Sequence, residues 1–180
     1  MSAAAPRLLV VVASKHGSTD EIADAVAREA AGCAAGRAAG LSAVCTPARN
    51  QPDPSSFDAV VLGSAVYAGR WLEPARQYAA HFADQLRARP VWIFSSGPIG
   101  DPPFPPDEPN DAATITALTG AREHRVFPGR LDKTLLSFGE RAMATAMRAP
   151  VGDFRDWTAV AAWAAEIAAA VAPRVPAGQA

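Results

Sequence analysis

Three short apolar segments, each followed by a polar loop, constrain the fold of this 180-residue chain more than any other feature. The segments are Leu8–Ala13, Asp58–Gly63 and Pro90–Phe94. They are rich in β-branched residues and lack a polar alternation, which is typical of strands buried on both faces of a parallel sheet. Helical patterns lie between them, so successive strands should run in the same direction. We therefore expect an α/β protein.

Weaker patterns complete the expected sheet and its helices. Two further strands are predicted over Leu41–Cys45 and Glu123–Phe127. Helical spacing predicts helices after Ser14–Thr19, over Leu72–Leu86, Asp111–Thr119, Thr134–Arg148 and Asp156–Ala172. These elements predict a doubly wound, five-stranded parallel sheet with helices on both faces. The length fits a single domain over residues 1–180, with its core at about 7–172 and a flexible tail over 173–180.

Charge and composition exclude several functional classes. A net charge of -1 provides no basic footprint for nucleic acid. Stable membrane insertion is not expected, because Glu166 interrupts the longest alanine-rich stretch. Cys33 and Cys45 lack the spacing of a zinc or redox pair, so no metal site is expected. Without the features of a secretory leader, the chain is expected to be cytoplasmic; its oligomeric state is left open.

The polar loops follow the strands directly. They span residues 14–19, 64–70 and 95–100. In a doubly wound sheet, ligands bind beyond the carboxyl ends of the strands, where the strand order reverses. The three loops should therefore meet at one ligand site.

The first loop has the chemistry of a phosphate site. Ser14, Ser18 and Thr19 supply hydroxyls, Gly17 supplies backbone freedom, and a helix N-terminus follows at once. The loop is neither a Walker loop nor G-x-G-x-x-G, which disfavours ATP and NAD. An alternative without any ligand is that Ser18 or Thr19 simply caps the helix.

Two motifs resemble a known family. The residues Ser14-Lys15-His16-Gly17-Ser18-Thr19-Asp20-Glu21-Ile22-Ala23 resemble the phosphate loop of flavodoxins. The stretch Val60–Trp71 resembles the second flavin loop of the flavodoxin-domain subgroup that contains menaquinone-dependent protoporphyrinogen oxidase, and Asp156-Trp157 is also similar to that subgroup.

The resemblance implies FMN as cofactor. Its phosphate would lie on the first loop and its isoalloxazine ring between the second and third loops. Either Tyr67 or Trp71 could stack on the ring, the alternative for both being packing against the following helix. The candidate cofactor-binding residues are Ser14, Lys15, His16, Gly17, Ser18, Thr19, Ser64, Ala65, Val66, Tyr67, Ala68, Gly69, Ser95, Ser96, Gly97 and Gly100.

The resemblance further implies an FMN-dependent oxidoreductase that exchanges electrons with a small aromatic acceptor, such as a quinone or porphyrinogen. The alternatives are a non-catalytic electron carrier whose partner is a redox protein, a flavin-binding module, and a relative that has lost its flavin. No catalytic residue can be named. Two features depart from the relatives: Asp101–Asp111 is acidic and proline-rich where the subgroup tends to be basic, and the acidic excess of carrier flavodoxins is missing.

Two other segments give structural expectations. The apolar stripe of Leu136, Met143 and Met147, with Leu135 and Phe138 nearby, predicts core packing. A partner surface or a quinone-access surface is the alternative. The glycine-rich stretch Gly32–Gly40 predicts a flexible connection.

Overall fold

The computed structural model describes residues 4–97, 99–100, 109 and 111–173. In these ranges the strands are β1 (Arg7–Ala13), β2 (Ser42–Pro47), β3 (Ala59–Tyr67), β4 (Arg70–Trp71), β5 (Val91–Ser96), β6 (His124–Phe127), β7 (Arg130–Leu131) and β8 (Gly152–Asp153). The α-helices are α1 (Ser18–Gly32), α2 (Ala34–Ala39), α3 (Glu73–His81), α4 (Ala83–Arg87), α5 (Ala112–Thr119), α6 (Phe138–Ala146) and α7 (Trp157–Val171). Two short 3-10 turns lie at Ala48–Asn50 and Pro54–Ser56.

Five of the strands form a parallel sheet in the order β2-β1-β3-β5-β6. Val10 in β1 pairs with Cys45 on one side and with Val61 in β3 on the other. The chain crosses from β1 to β2 in one direction and then returns past β1 to β3. The strand order therefore reverses between β1 and β3, which is where such sheets bind their ligands. The predicted fold class is confirmed.

Alternation along the buried strands divides the core between the two faces of the sheet. In β1, Leu8, Val10 and Val12 contact one cluster, whereas Leu9 and Val11 contact the other. Helices α1 and α7 cover the first face, and α3, α4 and α5 cover the second. Removing an aliphatic side chain of this kind from water stabilises the fold by about 1.5–3 kcal/mol.

The expected flexible connection over Gly32–Gly40 is wrong, because the structure places helix α2 there. Gly36 is buried, and a β-carbon at this position would lie 1.9 Å from the Ala30 carbonyl oxygen. Glycine thus allows α2 to pack closely on the end of α1. The recurring glycines reflect this close packing and a left-handed helix end at Gly40.

The loop predicted after the second apolar segment is partly a strand. Residues 64–67 continue β3, and the last two of them, Val66 and Tyr67, pair with β4 in an antiparallel hairpin. The hairpin turns at Ala68 and Gly69, whose φ angles are 50° and 72°. Tyr67 and Trp71 are therefore fixed by strand pairing.

The predicted core packing of the Leu135–Met147 stripe is also wrong. Helix α6 begins at Phe138, later than the predicted Thr134, and has no buried residue. Leu135, Phe138, Met143 and Met147 are all exposed. The Asp101–Asp111 insert lies outside the described residues except for its last positions, Pro109 and Asp111, and the predicted tail does so beyond Pro173. No helix in the described ranges is long and apolar enough to cross a membrane.

Candidate functional site

A cleft of about 180 Å³ opens at the carboxyl ends of β1, β3 and β5, at the point of strand reversal. All three predicted loops contribute to it. The predicted residues that line the cleft are Ser14, Lys15, His16, Ser18, Thr19, Ala65, Val66, Tyr67, Ser96 and Gly97.

The first loop presents an uncapped helix end to the cleft. Gly17 is the N-cap residue of α1, its φ is 84°, and no side chain caps the helix. The alternative in which Ser18 or Thr19 serves only as a cap is therefore wrong. The Ser18 hydroxyl is buried and finds no hydrogen-bond partner in the described part of the chain. A buried hydroxyl without a partner is costly, and an anion seated at this helix end would supply one.

Three basic side chains line the cleft beside this helix end, and each contacts a carboxylate. Lys15 Nζ lies 2.5 Å from Glu140 Oε1, and His16 Nε2 lies 3.1 Å from the same oxygen. Arg130 Nη1 lies 3.3 Å from Glu21 Oε1. The hydrogen bond from Lys15, and secondly those with the N-cap residue Ser137, hold the pKa of Glu140 well below its usual range. Glu140 is consequently ionised at neutral pH.

Tyr67 forms an aromatic wall of the cleft. Its side chain is 38% exposed, with Lys15 Nζ 5.2 Å from the ring centroid and the His16 ring edge-on at 6.3 Å. Burial, and secondly the charge of Glu140, raise the pKa of Tyr67 to about 12, so the phenol stays neutral. A partly exposed, uncharged ring in a cleft can stack on a flat ligand.

Trp71, the other candidate for stacking, belongs to the core. It is buried, and its Nε1 donates a hydrogen bond to Ser95 Oγ at 2.7 Å. Its backbone N–H donates to both carboxylate oxygens of Asp111, at 3.2 and 3.1 Å. For Trp71 the packing alternative is the one that the structure shows.

Six predicted residues do not line the cleft: Gly17, Ser64, Ala68, Gly69, Ser95 and Gly100. The Ser64 hydroxyl is buried, donates to the Ala65 carbonyl and accepts from the Leu72 N–H. The Ser95 hydroxyl is also buried, between Trp71 and His124. Both hydroxyls are used in hydrogen bonds within the fold, and neither residue lines the cleft.

One wall of the cleft comprises Gly129, Arg130, Leu131, Asp132, Leu135 and Leu136, with Ile99 beside it. Sequence reasoning missed residues 129–132. Leu135 and Leu136 belong to the stripe for which a partner or quinone-access surface was the alternative, and Ile99 lies in the third predicted loop. Residues 129–132 follow β6, so they lie at the same edge of the sheet as the three predicted loops. Applying the same rule to the fifth predicted strand would have identified them.

The cleft thus combines an uncapped helix end and basic side chains with an aromatic ring and an apolar wall. Such a set of groups suits a ligand that is anionic at one end and flat at the other. The Ser18 hydroxyl without a partner fits the phosphate of FMN, and the Tyr67 ring fits its flavin.

Comparisons with known proteins agree with this geometry. The family model described as "Flavodoxin domain" matches residues 9–157. No curated protein matches the chain.

Solved structures of flavodoxins share the fold. The flavodoxin of Streptococcus pneumonia TIGR4 superposes with a TM-score of 0.59 at 22% identity, over 92% of this chain and 99% of that one. An archaeal flavodoxin gives a TM-score of 0.58 at 16% identity, over 92% and 98% of the two chains. Oxidised flavodoxin 1 of Bacillus cereus gives 0.56 at 15% identity, over 89% and 95%. At these identities the superpositions establish the fold alone. The family model matches most of the sequence, and this match establishes the family. The chain belongs to the flavodoxin domain family, and FMN is its cofactor.

Proposed function

We propose that this protein binds FMN in the cleft described above and uses it to transfer electrons. The observation that carries the proposal is the uncapped N-terminus of α1 with the partnerless Ser18 hydroxyl beside it. Backbone N–H groups at such a helix end attract anions, and charge-assisted hydrogen bonds to a phosphate are stronger than neutral ones.

The residues of the cleft divide into two groups in this proposal. Ser18, Thr19 and the backbone of residues 14–19 hold the phosphate, with Lys15 and Arg130 adding positive charge. Tyr67 stacks on the flavin, and the segments at 65–67 and 96–97 border it. FMN supplies the redox chemistry when bound, and the protein orients it and limits its access to water.

The proposal is tested by titrating the purified apoprotein with FMN and with riboflavin while recording the visible spectrum. FMN should bind at least about tenfold more tightly, because only FMN offers a phosphate to the α1 terminus. Equal affinity for the two flavins would contradict the proposed phosphate site, and no binding of either would contradict the function.

The exposed side chains of α6 favour an electron carrier that meets another protein. This helix stands beside the cleft and has no buried residue. A surface of this kind is more useful to a carrier, which must dock to its partner, than to an enzyme whose substrate diffuses into a pocket.

A small aromatic acceptor, such as a quinone or porphyrinogen, is the second candidate. Leu131, Leu135 and Leu136 give the cleft an apolar wall against which a flat molecule could lie. The resemblance to the protoporphyrinogen oxidase subgroup also points to this class.

Reoxidation of the reduced protein by soluble quinones separates the two candidates. An acceptor site predicts saturable kinetics and a kcat/KM that falls in Leu136→Ala while FMN stays bound. A carrier predicts rates that rise linearly with quinone concentration and do not respond to that substitution.

A further inference from the structure

We propose that helix α6 is the docking surface for an acidic redox protein. We call this surface the α6 face and define it by Phe138, Arg141, Met143, Met147 and Arg148. The inference rests on the proposed electron-transfer function and adds to it the location of the partner and the sign of its charge.

The apolar side chains of the α6 face are unusually accessible. Phe138 is 89% exposed, Met143 65% and Met147 53%. Single exposed apolar residues are ordinary on protein surfaces, whereas contiguous ones mark interaction sites. Because no residue of α6 is buried, packing against the rest of the described chain does not explain why the sequence keeps these side chains apolar.

Helical spacing makes these side chains contiguous. Met143 and Met147 are four residues apart, so they are neighbours on the helix surface. Phe138 lies four residues before Ala142, which continues the apolar surface toward Ala146. Ala146 is three residues from Met143, so the two rows adjoin in one apolar strip.

The charges beside this strip are positive. Arg141 lies in the first half of α6, and Arg148 directly follows the C-cap residue Met147 at its other end. Both are exposed, and neither forms an ion pair with any residue that the structure describes. The one acidic residue of the helix, Glu140, points to Lys15 and His16 instead. A partner that neutralises both arginines must carry acidic groups around an apolar centre.

The α6 face is continuous with the cleft. Leu135, three residues before the helix, lines the cleft and is also 46% exposed. Glu140 ties the helix to Lys15 and His16, both of which line the cleft. A protein docked on the α6 face therefore covers the cleft entrance.

The amino-acid composition of the α6 face favours a protein, and not a lipid bilayer, as the binding partner. Phenylalanine, methionine and arginine are enriched at protein interfaces. Recognition of anionic lipid usually involves clusters of about four to eight basic residues, and the α6 face carries two. Two exposed arginines are sufficient to steer a protein complex, because rim charges act mainly on the association rate.

Binding is tested with two redox proteins of opposite charge. The FMN-loaded, ¹⁵N-labelled protein is titrated at low ionic strength with an oxidised, acidic plant-type ferredoxin and, separately, with basic cytochrome c. The ferredoxin should shift the amide signals of α6 and of residues 135–136. The shifts should weaken as salt is added, since exposed charges are screened.

The double variant Arg141→Glu with Arg148→Glu should weaken ferredoxin binding at least tenfold and strengthen cytochrome c binding. Arg28→Glu with Arg37→Glu is the matched control, because it makes the same change in net charge near the end of α1 and in α2, and neither arginine lines the cleft. Met143→Ser should weaken ferredoxin binding at any salt concentration. Val44→Ser, at an exposed apolar position on β2, is its control.

The visible spectrum of the sample is recorded first, so that loss of FMN, which contradicts the proposed function, is distinguished from loss of docking. If FMN is bound, equal effects of the α6 and control charge variants would overturn the inference. Binding to phosphatidylglycerol vesicles without binding to ferredoxin would also overturn it, because the α6 face would then contact a membrane. Self-association that Met143→Ser abolishes would overturn it as well, because a second copy of the chain would then cover the face.

Discussion

The Glu140 carboxylate lies 3.1 Å from His16 Nε2, although 124 positions separate the two residues in the chain. The same oxygen is the partner of Lys15, and the second oxygen accepts a hydrogen bond from the Ser137 N–H at 2.9 Å. With the Ser137 hydroxyl accepting from the Glu140 N–H, this forms a capping box at the start of α6. A single carboxylate therefore both starts the helix and restrains the first loop of the cofactor site.

Glu140→Gln is expected to tighten FMN binding about fivefold and to leave riboflavin binding unchanged. The substitution removes a negative charge that competes with the phosphate for Lys15 and His16, an effect of about 1 kcal/mol for a partly exposed pair. Flavin fluorescence titrations measure both affinities. Glu29→Gln, on the same side of the sheet but remote from the cleft, is the control. Weaker FMN binding, or a parallel change for riboflavin, would rule out competition by Glu140.

The same ion pair predicts a pH dependence of stability. Because the folded-state pKa of Glu140 is lowered, its contribution is present above the unfolded-state value of about 4.3 and is lost as the pH falls through the folded-state value. The difference in unfolding free energy between wild type and Glu140→Gln should therefore be at most about 1 kcal/mol at pH 7 and shrink at pH 3. Urea unfolding at the two pH values measures it; a difference that grows at pH 3 would contradict this assignment.

Ser18→Ala should have opposite effects on the apoprotein and on the cofactor complex. Removing a buried hydroxyl without a partner should stabilise the apoprotein by about 1 kcal/mol, whereas losing a hydrogen bond to phosphate should weaken FMN binding roughly tenfold. Ser64→Ala is the control, since that buried hydroxyl is fully bonded and its loss should destabilise the fold. Thermal unfolding with and without FMN reports both effects. A destabilised Ser18→Ala apoprotein would show that the hydroxyl has a structural partner.

Tyr67→Ala should weaken FMN binding by about 1–2 kcal/mol and relieve quenching of the flavin fluorescence, because it removes the stacked ring. Tyr67→Phe retains the ring and should bind FMN nearly as wild type does. Steady-state fluorescence of both variants provides the measurement. If Ala and Phe weakened binding equally, the hydroxyl and not the ring would be the contact.

Two glycines of one segment should respond in opposite ways to alanine. Gly36→Ala places a methyl group on the Ala30 carbonyl and should cost about 3 kcal/mol or more. Gly32→Ala meets no atom within 4 Å and should stabilise the end of α1 by about 0.5–1 kcal/mol. Chemical denaturation of both variants tests the assignment of α2, since a flexible connection would tolerate both changes.

The sheet was predictable because buried parallel strands leave a local signature. Runs such as that of β1 are apolar at consecutive positions, and pairing in the interior demands this. The phosphate loop was predictable for a similar reason: its glycine, hydroxyls and helix start are adjacent in the sequence.

What could not be predicted depends on contacts between distant residues. Met143 and Met147 have the same helical spacing whether their side chains pack in the core or lie on an exposed surface. The sequence pattern alone therefore could not distinguish a buried helix face from an exposed one. Ser64 and Ser95 have the residue type of ligand donors, and only the three-dimensional contacts with Leu72 and Trp71 show that they are internal. The reach of Glu140 to His16 has no local signal at all.

The turn at Ala68-Gly69 has a consequence for anyone who wishes to engineer this protein. Both residues adopt left-handed backbone angles, and alanine does so at a cost of about 1–2 kcal/mol. Asparagine accepts this conformation more readily, and Asn-Gly is the preferred pair for a tight hairpin. Ala68→Asn would thus raise the melting temperature of a recombinant flavoprotein, because asparagine adopts the backbone angles of this turn at a lower cost. Position 68 is exposed and does not line the cleft, so the cofactor site would be unchanged.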